Sequence, residues 1–263
     1  MAEPAPTDQA NPDRWILVAG LDNLRDIGGY VAADGRTVRW GRVYRSDGLA
    51  HVQPDGLAAL HALRIGAVFD LRNDVERAQR PNPAPFAGQG ISIDHGIDFF
   101  GGSLLHPRQT YADGEALLAT LYLGMVELAG PATAEVLVGT ARSLTNGGSA
   151  LVHCVAGKDR TGFVTAILLR ALGVDRDTVL DDYELTPPGH LLPRDVPFVA
   201  ELLNLGMGSD AIEAFLGTPR ASLAAALDHI DDVHGGADRY LTGVGGMPVA
   251  EIDALRQHLL ETI

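Results

Sequence analysis

The chain has 263 residues, is 46% hydrophobic and 21% charged, and carries a formal net charge of −14. This is a globular composition with enough apolar material for a buried core, and no apolar run approaches the roughly 18–20 residues that span a bilayer, so stable membrane insertion is not expected. The acidity and the lack of a lysine or arginine run argue against a non-specific nucleic-acid binder, while a single cysteine, Cys154, excludes an internal disulfide and a cysteine-rich metal site.

Residues 1–13 are polar and proline-rich, without the basic and apolar regions of a secretory signal, and are expected to form a flexible tail. A cytoplasmic location is the expectation, with signal-independent export left open. Residues 14–263 are expected to form one domain. Within it, Leu21–Tyr30 ends in a glycine pair, a turn signal. Val38–Ser46 alternates weakly and predicts a strand. Pro54–Arg64 predicts an amphipathic helix, with proline in its first turn and Leu57, Leu60 and Leu63 three apart. Ile65–Leu71 predicts a buried strand and Ile91–Asp94 another, followed by a loop over 95–113.

Two helices are predicted over 114–129 and 131–145, the first with a core-facing stripe of Leu117, Leu118, Leu121, Met125 and Leu128. Asn146-Gly-Gly148 breaks the pattern, Ala150–His153 predicts a strand, and Thr161–Leu172 a helix ended by Gly173. Helical segments follow over 175–185, 195–206, 209–216, 219–233 and 248–261, punctuated by Pro187-Pro188 and glycine pairs, with no internal repeat. Alternating strands and helices in the first two-thirds predict an α/β fold, with a largely parallel central sheet flanked by helices. The helical stretch at about 186–217 is placed as a lid-like segment over the mouth of that sheet.

The chemistry is concentrated at Val152-His-Cys-Val-Ala-Gly-Lys-Asp-Arg-Thr-Gly162. A strand runs into a short loop and the loop into a helix, which aims backbone N–H groups and a helix N-terminus at one point, an anion site. Arg160 closes the loop with a fork able to bind two phosphate oxygens, and the positive environment favours the thiolate nucleophile of Cys154. His153 is expected to orient the loop by hydrogen bonds, and Thr161 to donate its hydroxyl to the sulfur. The nine histidines show no ligand spacing, and no metal is assigned.

Cys-x5-Arg after a histidine and before Thr-Gly resembles the phosphate loop of the protein tyrosine phosphatase superfamily. The Lys158-Asp159 pair before the arginine is similar to that of the atypical bacterial tyrosine phosphatases. Asn23-Leu-Arg-Asp-Ile-Gly-Gly29 is similar to their N-terminal Asn-Phe-Arg-Asp motif, and Val43-Tyr-Arg-Ser46, Asp70-Leu-Arg72 and Asp181-Asp-Tyr183 follow in the same order, so the resemblance covers about 20–261. It implies a tyrosine or dual-specificity phosphatase-like fold and a two-step hydrolysis without metal or cofactor. Cys154 would form a phosphocysteine, Arg160 would hold the equatorial oxygens, and Val155, Ala156, Gly157, Lys158 and Asp159 would line the phosphate. Lys158, as a cation at the loop rim tethered by Asp159, would suit a polyanionic head group, and the substrates implied are phosphorylated proteins or phosphoinositides. By the same resemblance Asp98, in Ile97-Asp-Phe-Phe100, takes the place of the general acid, with Asp70, Asp94, Asp113 and Asp159 as rivals. Asn23, Arg25 and Asp26 read as a brace near the site.

Two other classes stand beside this one. A sulfur transferase or arsenate reductase also uses a cysteine loop, but rhodanese-like loops do not generally end in Arg-Thr-Gly, and the reductases need further cysteines. A non-catalytic phospho-ligand module is disfavoured by intact Cys154, Arg160 and Thr161. The sequence carries no signal for oligomeric state.

Overall fold

In the computed structural model the described residues are 14–93, 113–186, 196–204 and 206–262. The predicted tail, Asp94 and Asp98 lie outside them. The elements in chain order are β1 (Arg25–Asp26), β2 (Thr37–Val38), β3 (Val43–Ser46), α1 (Pro54–Ala62), β4 (Ile65–Asp70), α2 (Asp74–Gln79), β5 (Gln89–Gly90), α3 (Gly114–Leu128), α4 (Gly130–Thr145), β6 (Ser149–His153), α5 (Asp159–Ala171), α6 (Arg176–Glu184), α7 (Val196–Asn204), α8 (Ser209–Leu216), α9 (Arg220–His229), α10 (Ala237–Gly243), α11 (Val249–Leu259) and β7 (Leu260–Glu261).

Five strands form one sheet in the order β1-β3-β6-β4-β5. All neighbours are parallel except β1, which runs antiparallel to β3 at one edge. The predicted α/β architecture is therefore the one that forms. Period-2 alternation sorts the strand residues onto two cores. Val43, Phe69, Ala150 and Val152 face the larger core, with α3, α4 and α5. Tyr44, Val68 and Leu151 face a smaller one, with Leu49 and Leu60. Every residue of β6 is buried, as a central parallel strand covered on both faces requires. Burial of Ile167, Leu168 and Leu169 holds α5 against this core, each contributing roughly 1.5–3 kcal/mol of transfer free energy.

Three departures from the sequence reading have local causes. The strand predicted over Val38–Ser46 is split, because Gly41 turns at φ +73° and sends Thr37–Val38 to pair with β7 instead. The strand predicted at Ile91–Asp94 pairs two residues earlier, at Gln89–Gly90, although Ile91 and Ile93 still donate to the carbonyls of Asp70 and Leu71. The short helix α2 buries none of its residues, so no apolar period announces it.

No single helix is long and apolar enough among the described residues to cross a membrane; α3 and α4 pass that test together only across a 71° bend. Leu118, Tyr122, Met125, Val126, Val136 and Leu137 of this pair are buried in the core.

Candidate active site

The chain leaves the carboxyl end of β6 at His153 and enters α5 at Asp159, and Cys154–Lys158 make the turn between them. In open parallel sheets this edge is where ligands bind. What shapes the turn is where its carbonyls go. The Cys154 carbonyl accepts from His153 Nδ1 at 3.0 Å, that of Val155 from the Gly48 amide at 2.9 Å, that of Ala156 from Asn23 Nδ2 at 2.9 Å, and that of Gly157 from Arg45 at 2.8 Å. Four successive carbonyls are thus held on the outside. In a planar trans peptide the N–H points opposite to the C=O, so the loop amides face the concave side. Gly157 sits at φ +67°, and a Cβ there would fall 2.4 Å from the Ser46 carbonyl oxygen. The turn can close against β3 only with glycine at that position. No side chain caps the start of α5, whereas side chains cap α2, α3 and α6, so its first amides remain directed at the same point.

Two buried networks hold those carbonyl donors. On one side is Asp182, which accepts from Arg45 at 2.5 Å, Arg25 at 3.3 Å and the Tyr30 hydroxyl at 3.0 Å. Burial alone would raise its pKa; Arg25 and Arg45 override that and hold the carboxyl well below the usual range. Arg25 also hydrogen-bonds Asn23, the donor to Ala156. Its own pKa falls to about 10, through burial first and the neighbouring Arg45 second. On the other side, His153 is neutral, its pKa lowered to about 4 chiefly by burial. With Nδ1 donating to the Cys154 carbonyl, Nε2 accepts from Asn82 Nδ2 at 2.9 Å. Asn82 Nδ2 also donates to Asp70 at 3.2 Å, and Arg72 donates to both Asp70, at 2.7 Å, and Asn82 Oδ1, at 2.9 Å. This closed ring fixes the imidazole as an orienting group.

Arg160 lies on the first turn of α5. Its two terminal nitrogens donate to the two oxygens of Glu76 at 2.6 and 2.8 Å, and one also reaches the Leu71 carbonyl at 3.4 Å. A guanidinium has five N–H groups. Three are used in these bonds, and the Nε–H and second terminal N–H, without a partner among the described residues, form the two-pronged edge that suits a pair of phosphate oxygens. The Glu76 carboxyl, which burial would raise, is lowered by that ion pair, and Arg160 is raised above its ordinary value by it despite burial. Glu76 is itself fixed by a capping box, with Asn73 Oδ1 accepting from its amide and Glu76 Oε2 accepting from the Asn73 amide, both at 2.8 Å. The string Asn73-Asp-Val-Glu76 carries that capping signal in sequence. Nothing in sequence ties it to Arg160, and Asn82 carried no signal at all.

Comparison with known proteins agrees with this chemistry. The model of the tyrosine phosphatase family matches residues 16–261. The chain belongs to the tyrosine phosphatase family. A Cupriavidus necator protein named as a tyrosine-protein phosphatase is 32% identical over 91% of this chain and 86% of its own length. The triple specificity protein phosphatase PtpB of Mycobacterium tuberculosis is 28% identical over 92% of this chain and 97% of its own. Among solved structures, P. aeruginosa TpbA matches 74% of this chain and 97% of its own at 17% identity, with a TM-score of 0.30.

The phosphatase brings Cys154, Val155, Ala156, Gly157, Arg160 and His153 together as a loop, with two differences from the sequence reading. Lys158 is not a solvated rim cation. It is 2% exposed, and its ammonium donates to the carbonyls of Phe215 and Gly217 at the end of α8, both at 2.8 Å. Those carbonyls close a helix C-terminus, where a cation is favoured. Asp159 lies 3.5 Å from that ammonium, as expected of a tether, and also accepts from the Tyr122 hydroxyl at 3.2 Å. Thr161 Oγ1 is buried without a hydrogen-bond partner among the described residues, so the expected bond to the Cys154 sulfur is not made in this structure. Of the rival acids, Asp70 is lowered by Arg72 and His153 against the effect of burial, and so is ionised, while Asp113 caps α3 by accepting from the Ala116 amide at 3.0 Å.

Proposed function

We propose that the phosphatase hydrolyses phosphomonoesters in two steps through Cys154, and that its substrates extend from phosphotyrosine to phosphoserine, phosphothreonine and phosphoinositides. The observation that carries the first part is the loop itself, with its carbonyls outward, its amides inward and Arg160 presenting a free fork beside them. The Cys154 thiolate attacks phosphorus, the ester oxygen leaves with a proton from a carboxylic acid, and the loop amides and Arg160 hold the oxygens whose charge grows in the transition state. Water then attacks the phosphocysteine and releases phosphate and the thiolate. Asp98 is the acid in this reading. With Asp70 ionised and Asp113 occupied as a cap, Asp159, on the first turn of α5, is its main rival among the described residues.

The breadth of substrate is supported by the likeness to a relative that carries triple specificity in its name. It is no longer supported by Lys158. The test is steady-state hydrolysis, in the presence of EDTA, of a phosphotyrosine peptide, a phosphoserine peptide and short-chain phosphoinositides by wild type and Cys154→Ser. Cys154-dependent release from all of them is the expected result. Release from phosphotyrosine alone would narrow the substrate range, and no release from any would point to a phospho-ligand binding module.

A further inference from the structure

A second cluster of chemistry-bearing side chains lies where α3 and α9 end. Glu127 stands near the end of α3, His229 ends α9, and His234 closes a five-residue π-turn, Ile230–His234, that continues α9. In an α-helix, residues five apart point about 140° from one another, at 100° per residue. The i→i+5 closure of a π-turn narrows that angle and brings the two imidazoles onto one side, with ring centroids 6.0 Å apart. Candidate ligand atoms of Glu127, His229 and His234 all lie within 4.8 Å of one another, and His229 Nε2 is 3.2 Å from Glu127 Oε1.

His234 supplies the second observation. Its Nε2 is fully buried and has no hydrogen-bond partner among the described residues. Such a nitrogen is costly to leave unsatisfied. The turn around it is held firmly, since the Tyr240 ring packs 5.4 Å from the His234 ring and its hydroxyl donates to the Val126 carbonyl, beside Glu127, at 2.9 Å. The helix α10 thus fixes the spacing between the histidine turn and α3.

We propose that Glu127, His229 and His234 form a binding site for a divalent transition metal, zinc, that staples α3 to α9 and leaves a fourth position for water. Two imidazoles and one carboxylate suit zinc, whereas magnesium and calcium favour all-oxygen sets. Tetrahedral ligation at about 2.0–2.1 Å places ligand atoms about 3.4 Å apart, so the cluster must contract. Glu127, with its side chain 65% exposed, and His229, at 34%, have the freedom to do so.

The site is separate from the phosphate loop and does not depend on the proposed reaction. Zinc is titrated calorimetrically into Cys154→Ser, which removes the chain's single thiol, and into the same variant carrying His229→Gln, His234→Gln or Glu127→Gln. Circular dichroism melting confirms that each variant is folded. One zinc equivalent is expected in Cys154→Ser, with a rise in melting temperature. Affinity should fall by more than about 100-fold in either histidine variant, beyond the 10–100-fold typical of outer-shell losses. His229→Gln, at a partly exposed position, keeps the test valid if His234→Gln fails to fold. Cobalt added to Cys154→Ser should give the visible absorption of a low-coordinate site. No saturable zinc binding, unchanged binding in folded His229→Gln, or equal binding of magnesium would overturn the proposal.

Discussion

Replacing Glu76 with glutamine tests whether Arg160 is held in place by its ion pair. The pair is bidentate, at 2.6 and 2.8 Å, and its side chains are only 13% and 11% exposed, so solvent screens it weakly. Glutamine keeps the shape and one acceptor oxygen. It loses the charge, and turns an NH2 toward a guanidinium that can only donate. One charge-assisted hydrogen bond, worth about 1.5–3 kcal/mol, is removed. If Arg160 grips the phosphoryl oxygens most tightly in the transition state, that energy appears mainly in kcat, as a fall of about 10- to 150-fold. Stability should drop less, because glutamine still completes the capping box with Asn73; Glu76→Ala forfeits the cap as well, about a further 1 kcal/mol. The pH dependence has a definite sign. Glu76 is depressed in the folded state, so its pair stabilises the fold fully above the ordinary glutamate value and is lost as pH falls through the lower native one. That part of the acid sensitivity should vanish in Glu76→Gln. The assay is p-nitrophenyl phosphate turnover with thermal melting across pH 3–7. Wild-type kcat/KM in a folded Glu76→Gln protein would refute the reasoning and assign Arg160's alignment to the Leu71 carbonyl and the helix alone.

Asp182→Asn should destabilise the protein by about 3–5 kcal/mol, because it leaves Arg25 and Arg45 buried against a neutral group; a melting temperature within a degree or two of wild type would contradict this. Gly157→Ala should abolish activity, since the added Cβ meets the Ser46 carbonyl and the backbone sits at φ +67°; a folded, active variant would mean the turn can relax. Lys158→Met should cost about 1–3 kcal/mol by leaving the Phe215 and Gly217 carbonyls without their cation, with equal effects on phosphotyrosine and phosphoinositide turnover. A loss confined to phosphoinositides would reinstate a rim role. Asp98→Asn should flatten the alkaline fall of kcat, where the proton donor ionises; flattening in Asp159→Asn instead would reassign the acid.

The strand–loop–helix at 149–171 was legible because local signals agree there: a short apolar strand, a Cys-x5-Arg loop, and a helical stretch ended by Gly173. The order of the Asn23, Arg45, Asp70 and Asp182 motifs was legible too, but not what they do. Asn23 and Asp182 are 159 positions apart and join through Arg25, a contact that only the fold creates. Lys158 was misread for the same reason. Four residues after a nucleophilic cysteine, a lysine looks like a substrate cation, and sequence gives no sign that the carbonyls of a helix end 57 and 59 positions later capture it. Glu76 went unseen because a six-residue helix with no buried apolar side chain has no periodicity to find.

These pairings also bear on how the phosphatase can recognise charge. Around the loop, Arg25 and Arg45 face Asp182, Arg72 faces Asp70, Arg160 faces Glu76 and Lys158 faces Asp159. Among the described residues each of these cations is paired with a carboxylate, Arg25 and Arg45 sharing Asp182, in a chain whose net charge is −14. On the proposed function, a phosphate dianion would be met by inward amide dipoles and a guanidinium edge that is unoccupied among the described residues, rather than by surplus positive charge. Such a site grips the tetrahedral group itself. Its described part would gain little from further phosphates on the same molecule, and being buried it would be screened little by salt. On this arrangement a phosphoinositide would be taken through the one phosphate that enters the loop, as a phosphotyrosine is, and discrimination between the two would fall to the shape of the entrance rather than to the charge of the loop.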